Sequence, residues 1–135
     1  MEISVVQAQG QVPVSVLAIK GDLDAASYHD LIVEAQKLYD DGARNLLLDL
    51  SGLDFISSAG LAALHIISKM FKGEPTADEG AWGAFKSIDR ERKSGMQASV
   101  KLLNPSDNVD SVLDTVGFKQ FFEIFTDREA AIQSF

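Results

Sequence analysis

Leu46–Leu64 reads LLLDLSGLDFISSAGLAAL, and the fold turns on how this stretch divides. Leu46, Leu47, Leu48 and Leu50 are apolar without alternation, which is how a strand covered on both faces and central in its sheet reads. The run ends around Asp49, and a Ser/Gly/Asp-rich stretch through Asp54 has the composition of a short loop. Ser57, Ser58 and Gly60 then precede a second apolar run with helical spacing. A buried strand therefore hands over to a buried helix, with two serines at the junction. The first turn of a helix carries unpaired N–H groups and the positive end of the dipole, so either hydroxyl stands where a phosphate is physically favoured.

The helix after the serines is apolar around much of its circumference, with Leu61, Leu64, Ile67 and Phe71 on one stripe and Ala63, Ile66 and Met70 on another. Counting from Ser58 by fours and threes gives Ala62, His65 and Lys69, a small and polar row expected to be the uncovered face. Upstream, Ile3–Val6 and Val14–Lys20 flank Gly10-Gln11 as a hairpin, and Gly21-Asp22-Leu23-Asp24 ends the second strand. Asp24 or Ser27 can cap a helix whose apolar positions are Tyr28, Leu31, Ile32, Ala35, Leu38 and Tyr39, stopped by Asp41-Gly42.

Downstream, the composition changes from Gly73 to Gln97, where an acidic turn-like segment is followed by Trp82, Phe85 and Ile88 and the Arg90, Arg92, Lys93 cluster. This reads as an insertion, loosely ordered or partly helical, and its aromatic and basic residues as a candidate contact patch. Ala98–Leu103 restores a strand, Asn104-Pro105-Ser106 turns into a helix carrying Val109, Val112, Leu113 and Val116, and Gly117-Phe118 closes it. Phe121–Phe125 is a last strand, and Thr126–Glu129 has the capping-box form ahead of a short helix through Ile132. The order ββαβα(insertion)βαβα predicts one α/β domain spanning residues 1–135, a mixed and mostly parallel sheet with helices packed on it and the hairpin at its edge.

The chain has 135 residues, 46% hydrophobic and 24% charged, ordinary for a globular domain, and no apolar run long enough for a membrane span. A net charge of -8 disfavours nucleic acid, whose phosphates require a basic footprint. There is no cysteine, hence no disulfide or thiolate site, and His29 and His65 lack metal-site spacing. No phosphate loop or nucleophile elbow is present. These features point to a cytoplasmic binding protein, monomeric or weakly dimeric, with no catalytic residues, metal or cofactor.

Gly21-Asp22-Leu23-Asp24, Leu48-Asp49-Leu50-Ser51 and Phe55-Ile56-Ser57-Ser58-Ala59-Gly60-Leu61, in that order, resemble the signature of a STAS domain, the family of sulfate-transporter C-terminal domains and bacterial anti-sigma factor antagonists. Asn104-Pro105 and Val116-Gly117-Phe118 extend the resemblance over nearly all the chain outside Gly73–Gln97. In the antagonist branch it implies a binding switch: a GHKL-type serine kinase that is itself the anti-sigma factor phosphorylates a serine at the start of the second helix, and a PP2C-type phosphatase reverses this. By motif position that serine is Ser58. The family often has Asp before it and Ser after; Ser57 and Ala59 stand there here, which leaves Ser57 as a rival acceptor.

The candidate partner-binding residues are Asp24, Asp49, Ser57, Ser58, Ala62, His65 and Lys69, with Asp24, Asp49 and Asp54 expected at one end of the sheet. A phosphate adds about -1.5 to -2 charge at neutral pH and would alter the surface there without unfolding the domain. Two other readings stand beside this one. One is a STAS scaffold or accessory subunit that is never phosphorylated; the other is a receiver-like domain using Asp49 as an acyl-phosphate acceptor.

Overall fold

Right-handed crossovers between parallel strands laid down in spatial order put every connecting helix on the same face of the sheet. The computed structural model, which describes residues 1–73 and 97–135, has this arrangement. β1 (Glu2–Gln9) and β2 (Pro13–Leu23) form an antiparallel hairpin, and α1 (Tyr28–Asp40) leads to β3 (Leu46–Ile56). α2 (Ser58–Phe71) precedes β4 (Gln97–Leu103), α3 (Asp107–Thr115) and a 3-10 turn at Phe118–Gln120 precede β5 (Phe122–Phe125), and α4 (Arg128–Gln133) follows. The sheet order is β1-β2-β3-β4-β5, parallel from β2 onward, so the expected α/β architecture with an antiparallel edge is the observed one. No helix among the described residues is long and apolar enough to cross a membrane.

The leucine run is buried on both faces, as its lack of alternation requires. Leu46, Leu48 and Leu50 join the larger core with Leu31 and Ala35 of α1, Leu61, Leu64 and Ile67 of α2, and Val109 and Leu113 of α3. Leu47 points the other way, against Val14, Val16, Leu103 and the Ala131 and Ile132 of α4. Each such side chain contributes about 1.5–3 kcal/mol relative to exposure, which makes β3 the best-anchored strand.

Three expectations are corrected. β3 does not stop near Asp49 and give way to a Ser/Gly/Asp loop; it continues to Ile56, and β2 continues through Gly21 and Asp22 to Leu23 beside it. The cause is two register shifts, in which Ala18 pairs Asp49 but Lys20 pairs Gly52, and Gly21 pairs Leu53 but Asp22 pairs Phe55. Each gives β3 one extra residue, and Gly21 absorbs part of the distortion at φ 98°. At the C-terminal end, Asp127 rather than Thr126 caps the last helix, its carboxylate accepting from the Glu129 N–H at 3.2 Å.

The expected character of the 73–97 insertion lies outside the described residues, apart from its two ends. Gly73 ends α2 at φ 78°. Gln97 is buried, and its Nε2 donates to the Ser68 carbonyl and hydroxyl oxygens, both at 2.9 Å, while its Oε1 accepts from the Ser99 N–H at 2.7 Å. One side chain thus fixes the start of β4 against the last turns of α2. Gln97→Ala strands buried polar groups and is expected to destabilise the domain by about 1–3 kcal/mol, read as a lower midpoint in urea with an unchanged slope; an unchanged midpoint would show the clamp to be dispensable.

Candidate functional site

The strand–helix junction is built by close backbone approach. Leu23 pairs with Ile56 at the end of β2, and the Leu23 carbonyl accepts from the Ser57 N–H at 2.9 Å. The first turn of α2 lies directly over that carbonyl. A Cβ placed on Gly60 would come within 2.7 Å of the Leu23 oxygen and of Ile56 Cγ1, so glycine is required for contact rather than for backbone freedom. This packing brings the Asp22–Ser27 turn, the end of β3 and the start of α2 together.

At that point the two serines take different roles. Ser57 has extended backbone and is the N-cap: its Oγ accepts from the Gly60 N–H at 3.3 Å and its carbonyl accepts from the Leu61 N–H at 2.9 Å. Ser58 is the first residue of the helix and is exposed. Its hydroxyl is free of the capping duty, while helix geometry leaves the N–H groups of Ser58 and Ala59 without intrahelical acceptors. An anion on Ser58 would therefore meet N–H donors and the positive end of the α2 dipole.

The adjoining β2–α1 turn is acidic. Asp22, Asp24, Asp30 and Asp54 line one shallow cleft with Met1 and Ser27. Asp24 is a turn residue, its Oδ1 accepting from the Ala26 N–H at 3.0 Å and its carbonyl accepting from the Tyr28 N–H at 2.8 Å. Ser27 is the N-cap residue of α1 but makes no side-chain capping bond; its hydroxyl lies 2.9 Å from the Asp22 carbonyl, to which it donates. Among the described residues, no group of three or more His, Cys, Asp or Glu could hold a metal ion.

Of the other predicted residues, Asp49 lies elsewhere. It sits seven residues before Ile56, roughly 20 Å along the strand, and its carboxylate accepts from the Ser51 N–H and hydroxyl. Only Asp24 and Asp54 of the three expected carboxylates share the end of the sheet with the serines. Asp49 instead lies level with the end of β4, where it pairs with Leu103 and where the Ser51 hydroxyl accepts from Asn104 Nδ2 at 3.3 Å.

The stripe read as uncovered is also corrected, because Ala62 and His65 are 1% and 2% exposed and leave only Ser58 and the half-buried Lys69 accessible. Lys69 stands about 16 Å further along α2. The sequence reading missed Phe55, which is 52% exposed beside the serines. Strict alternation from Leu53 would bury it; the extra residue at Asp54 turns it outward and Ile56 inward.

Residues 5–76 match the STAS domain family. The chain is 26% identical over 120 residues to BtrV of Bordetella bronchiseptica, assigned as an anti-sigma factor antagonist, covering 89% of this chain and 84% of that one. Its structure is similar to that of an anti-sigma factor antagonist from Mycobacterium paratuberculosis, with a TM-score of 0.66 at 15% identity over 98% of this chain and 93% of the other. The anti-sigma factor antagonist SpoIIAA in its unphosphorylated form gives 0.54 at 16% identity, covering 96% and 92%. The Bacillus cell fate determinant SpoIIAA in its phosphorylated form gives 0.53 at 17%, covering 96% of both chains. At these identities the structural likeness is one of fold.

Gly60→Ala is expected to cost about 1–3 kcal/mol by overpacking the junction, whereas Ser58→Ala is expected to stay within about 0.5 kcal/mol of the parent. Urea unfolding of the two variants checks the contrast; equal midpoints would contradict the close-approach account.

Proposed function

The chain belongs to the STAS domain family, and we propose that it acts as an anti-sigma factor antagonist whose affinity for its partner is set by phosphorylation of Ser58. Unphosphorylated, it binds a GHKL-type serine kinase that is also the anti-sigma factor. The kinase modifies Ser58 and the complex weakens; a PP2C-type phosphatase restores the binding form. In this reading the chain is a bacterial cytoplasmic binding protein that performs no chemistry and needs no cofactor of its own.

The observation that carries the proposal is the division of roles between the serines. Ser57 is held in the cap and Ser58 is presented at the helix start with its hydroxyl outward. Modifying Ser58 costs the fold no cap. The added charge of about -1.5 to -2 falls at the same end of the sheet as Asp22, Asp24 and Asp54, and so changes the local potential a partner must match. The partner-facing surface is then Asp24, Ser57, Ser58 and the outward Phe55. Ala62 and His65 support it from within, and Asp49 and Lys69 lie away from it. Existence of a phosphorylated form of the structurally similar SpoIIAA supports the reading.

Ser58→Asp is expected to weaken the complex with the GHKL-type kinase of the same organism by about tenfold or more, equivalent to about 1.4 kcal/mol, in titration calorimetry. Its melting temperature should stay close to the parent value. An unchanged affinity would contradict the switch. Ser57→Ala is expected to remain a kinase substrate while losing about 1 kcal/mol of stability with its cap; loss of phosphorylation in this variant with retention in Ser58→Ala would assign the acceptor to Ser57.

A further inference from the structure

The two faces of the sheet are covered unequally. α1, α2 and α3 pack on one face with the larger core, whereas α4 covers the other with two buried side chains, Ala131 and Ile132, set against Val14, Val16, Leu47 and Leu103. α4 has six residues, too few for a helix to persist on its own, and burying two side chains leaves little margin over the entropy lost in ordering its backbone. It is a helix while it is docked. Beyond the apolar contact, the exposed Gln11 side chain donates from Nε2 to the Gln133 carbonyl at 3.0 Å, and Lys101 reaches Ser134.

Lys101 sits at the centre of this second face. Val100 and Leu102 enter the larger core, so strand alternation turns Lys101 toward α4. It is 4% exposed, and it is the one buried residue among the described Lys, Arg, Asp and Glu. Its Nζ donates to the Ser134 carbonyl and hydroxyl oxygens, both at 3.0 Å, and lies 3.6 Å from Glu123 Oε1 and 4.8 Å from the Phe135 ring centre.

An ammonium withdrawn from water loses hydration that a partly exposed carboxylate and the oxygens of one residue replace only in part. When α4 lifts, the Ser134 oxygens leave with it and water takes their place around Lys101. Apolar side chains beneath α4 resist that step because they lose their cover; the ammonium favours it. We infer that α4 is a strap that lifts from and re-docks on the back of an otherwise intact sheet, and that Lys101 is the latch that keeps its open and closed forms close in free energy. Lifting uncovers Val14, Val16, Leu47 and Leu103, on the sheet face opposite α2, so the inference stands or falls apart from the phosphorylation of Ser58.

The chain has no cysteine, so Val14→Cys beneath α4 and Val100→Cys in the larger core each supply one thiol at a fully buried position. Labelling by an aromatic disulfide reagent then reads the opening that reaches each site. Val14→Cys is expected to react about 100-fold faster than Val100→Cys, at a rate little changed by low urea, because a local opening exposes little surface. Adding Lys101→Met to Val14→Cys is expected to slow labelling about tenfold, since methionine fills the space with no charge to rehydrate and the Glu123 carboxylate left behind is 40% exposed. Hydrogen exchange at the Ala131 and Ser134 amides, which bond within α4, needs no cysteine and is expected to slow likewise in Lys101→Met relative to the parent chain. Equal labelling of the two thiols would show that α4 opens only with the whole domain. Labelling or exchange that is unchanged or faster in Lys101→Met would show Lys101 to be a clamp. Either result overturns the inference.

Discussion

The hydrogen bond from the Ser57 N–H to the Leu23 carbonyl, 2.9 Å long, is the tie on which the arrangement of the site depends. It joins the last residue of β2 to the cap of α2 across the end of the sheet, and it forms only because Gly60 lets the helix settle onto the Leu23 backbone. Without that approach, the Asp22–Ser27 turn and the serines would belong to separate surfaces. The two register shifts in the β2–β3 pair serve the same end, carrying both strands several residues past the point where the leucine run stops.

The cap and the proposed acceptor are separated by one position along the backbone. A hydroxyl at the N-cap contributes about 1 kcal/mol by satisfying a first-turn donor, and a phosphate there would have to replace that bond. A hydroxyl one residue further on contributes little to the fold and faces outward into the field of the helix terminus. Ser57 and Ser58 occupy those two positions, so charge can be added to the surface of this domain while the backbone that positions it stays fixed. Asp22, Asp24 and Asp54 make this end of the sheet acidic, and Phe55 is an exposed aromatic side chain of a type enriched in protein interfaces.

Much of this was legible in the sequence, for identifiable reasons. Leu46–Leu50 reads as a doubly covered strand because burial on both faces leaves no room for alternation, and the α1 pattern of Leu31 and Ala35 marks one covered face. The junction serines were visible as a helix start. What escaped the reading depended on tertiary pairing. An extra strand residue leaves no signature in composition, so the continuation of β3 through Asp54 and the outward turn of Phe55 could not be counted from local periodicity. The row Ser58, Ala62, His65, Lys69 was a correct helical row, yet spacing says which residues share a face and not whether that face is covered. Alanine and histidine are compatible with either, and here both are buried. Asp49 was placed by analogy with the end of an apolar run, and the strand simply does not end there.

The central claim is that Ser58 carries the modification and Ser57 carries the cap. It is tested most directly by intact-mass and fragmentation analysis of the protein isolated from its own cells, with acid-treated and untreated samples compared. The account predicts a single acid-stable phosphate on Ser58 in a fraction of the molecules. Phosphate on Ser57, an acid-labile phosphate on Asp49, or an unmodified Ser58 in every growth state would contradict it.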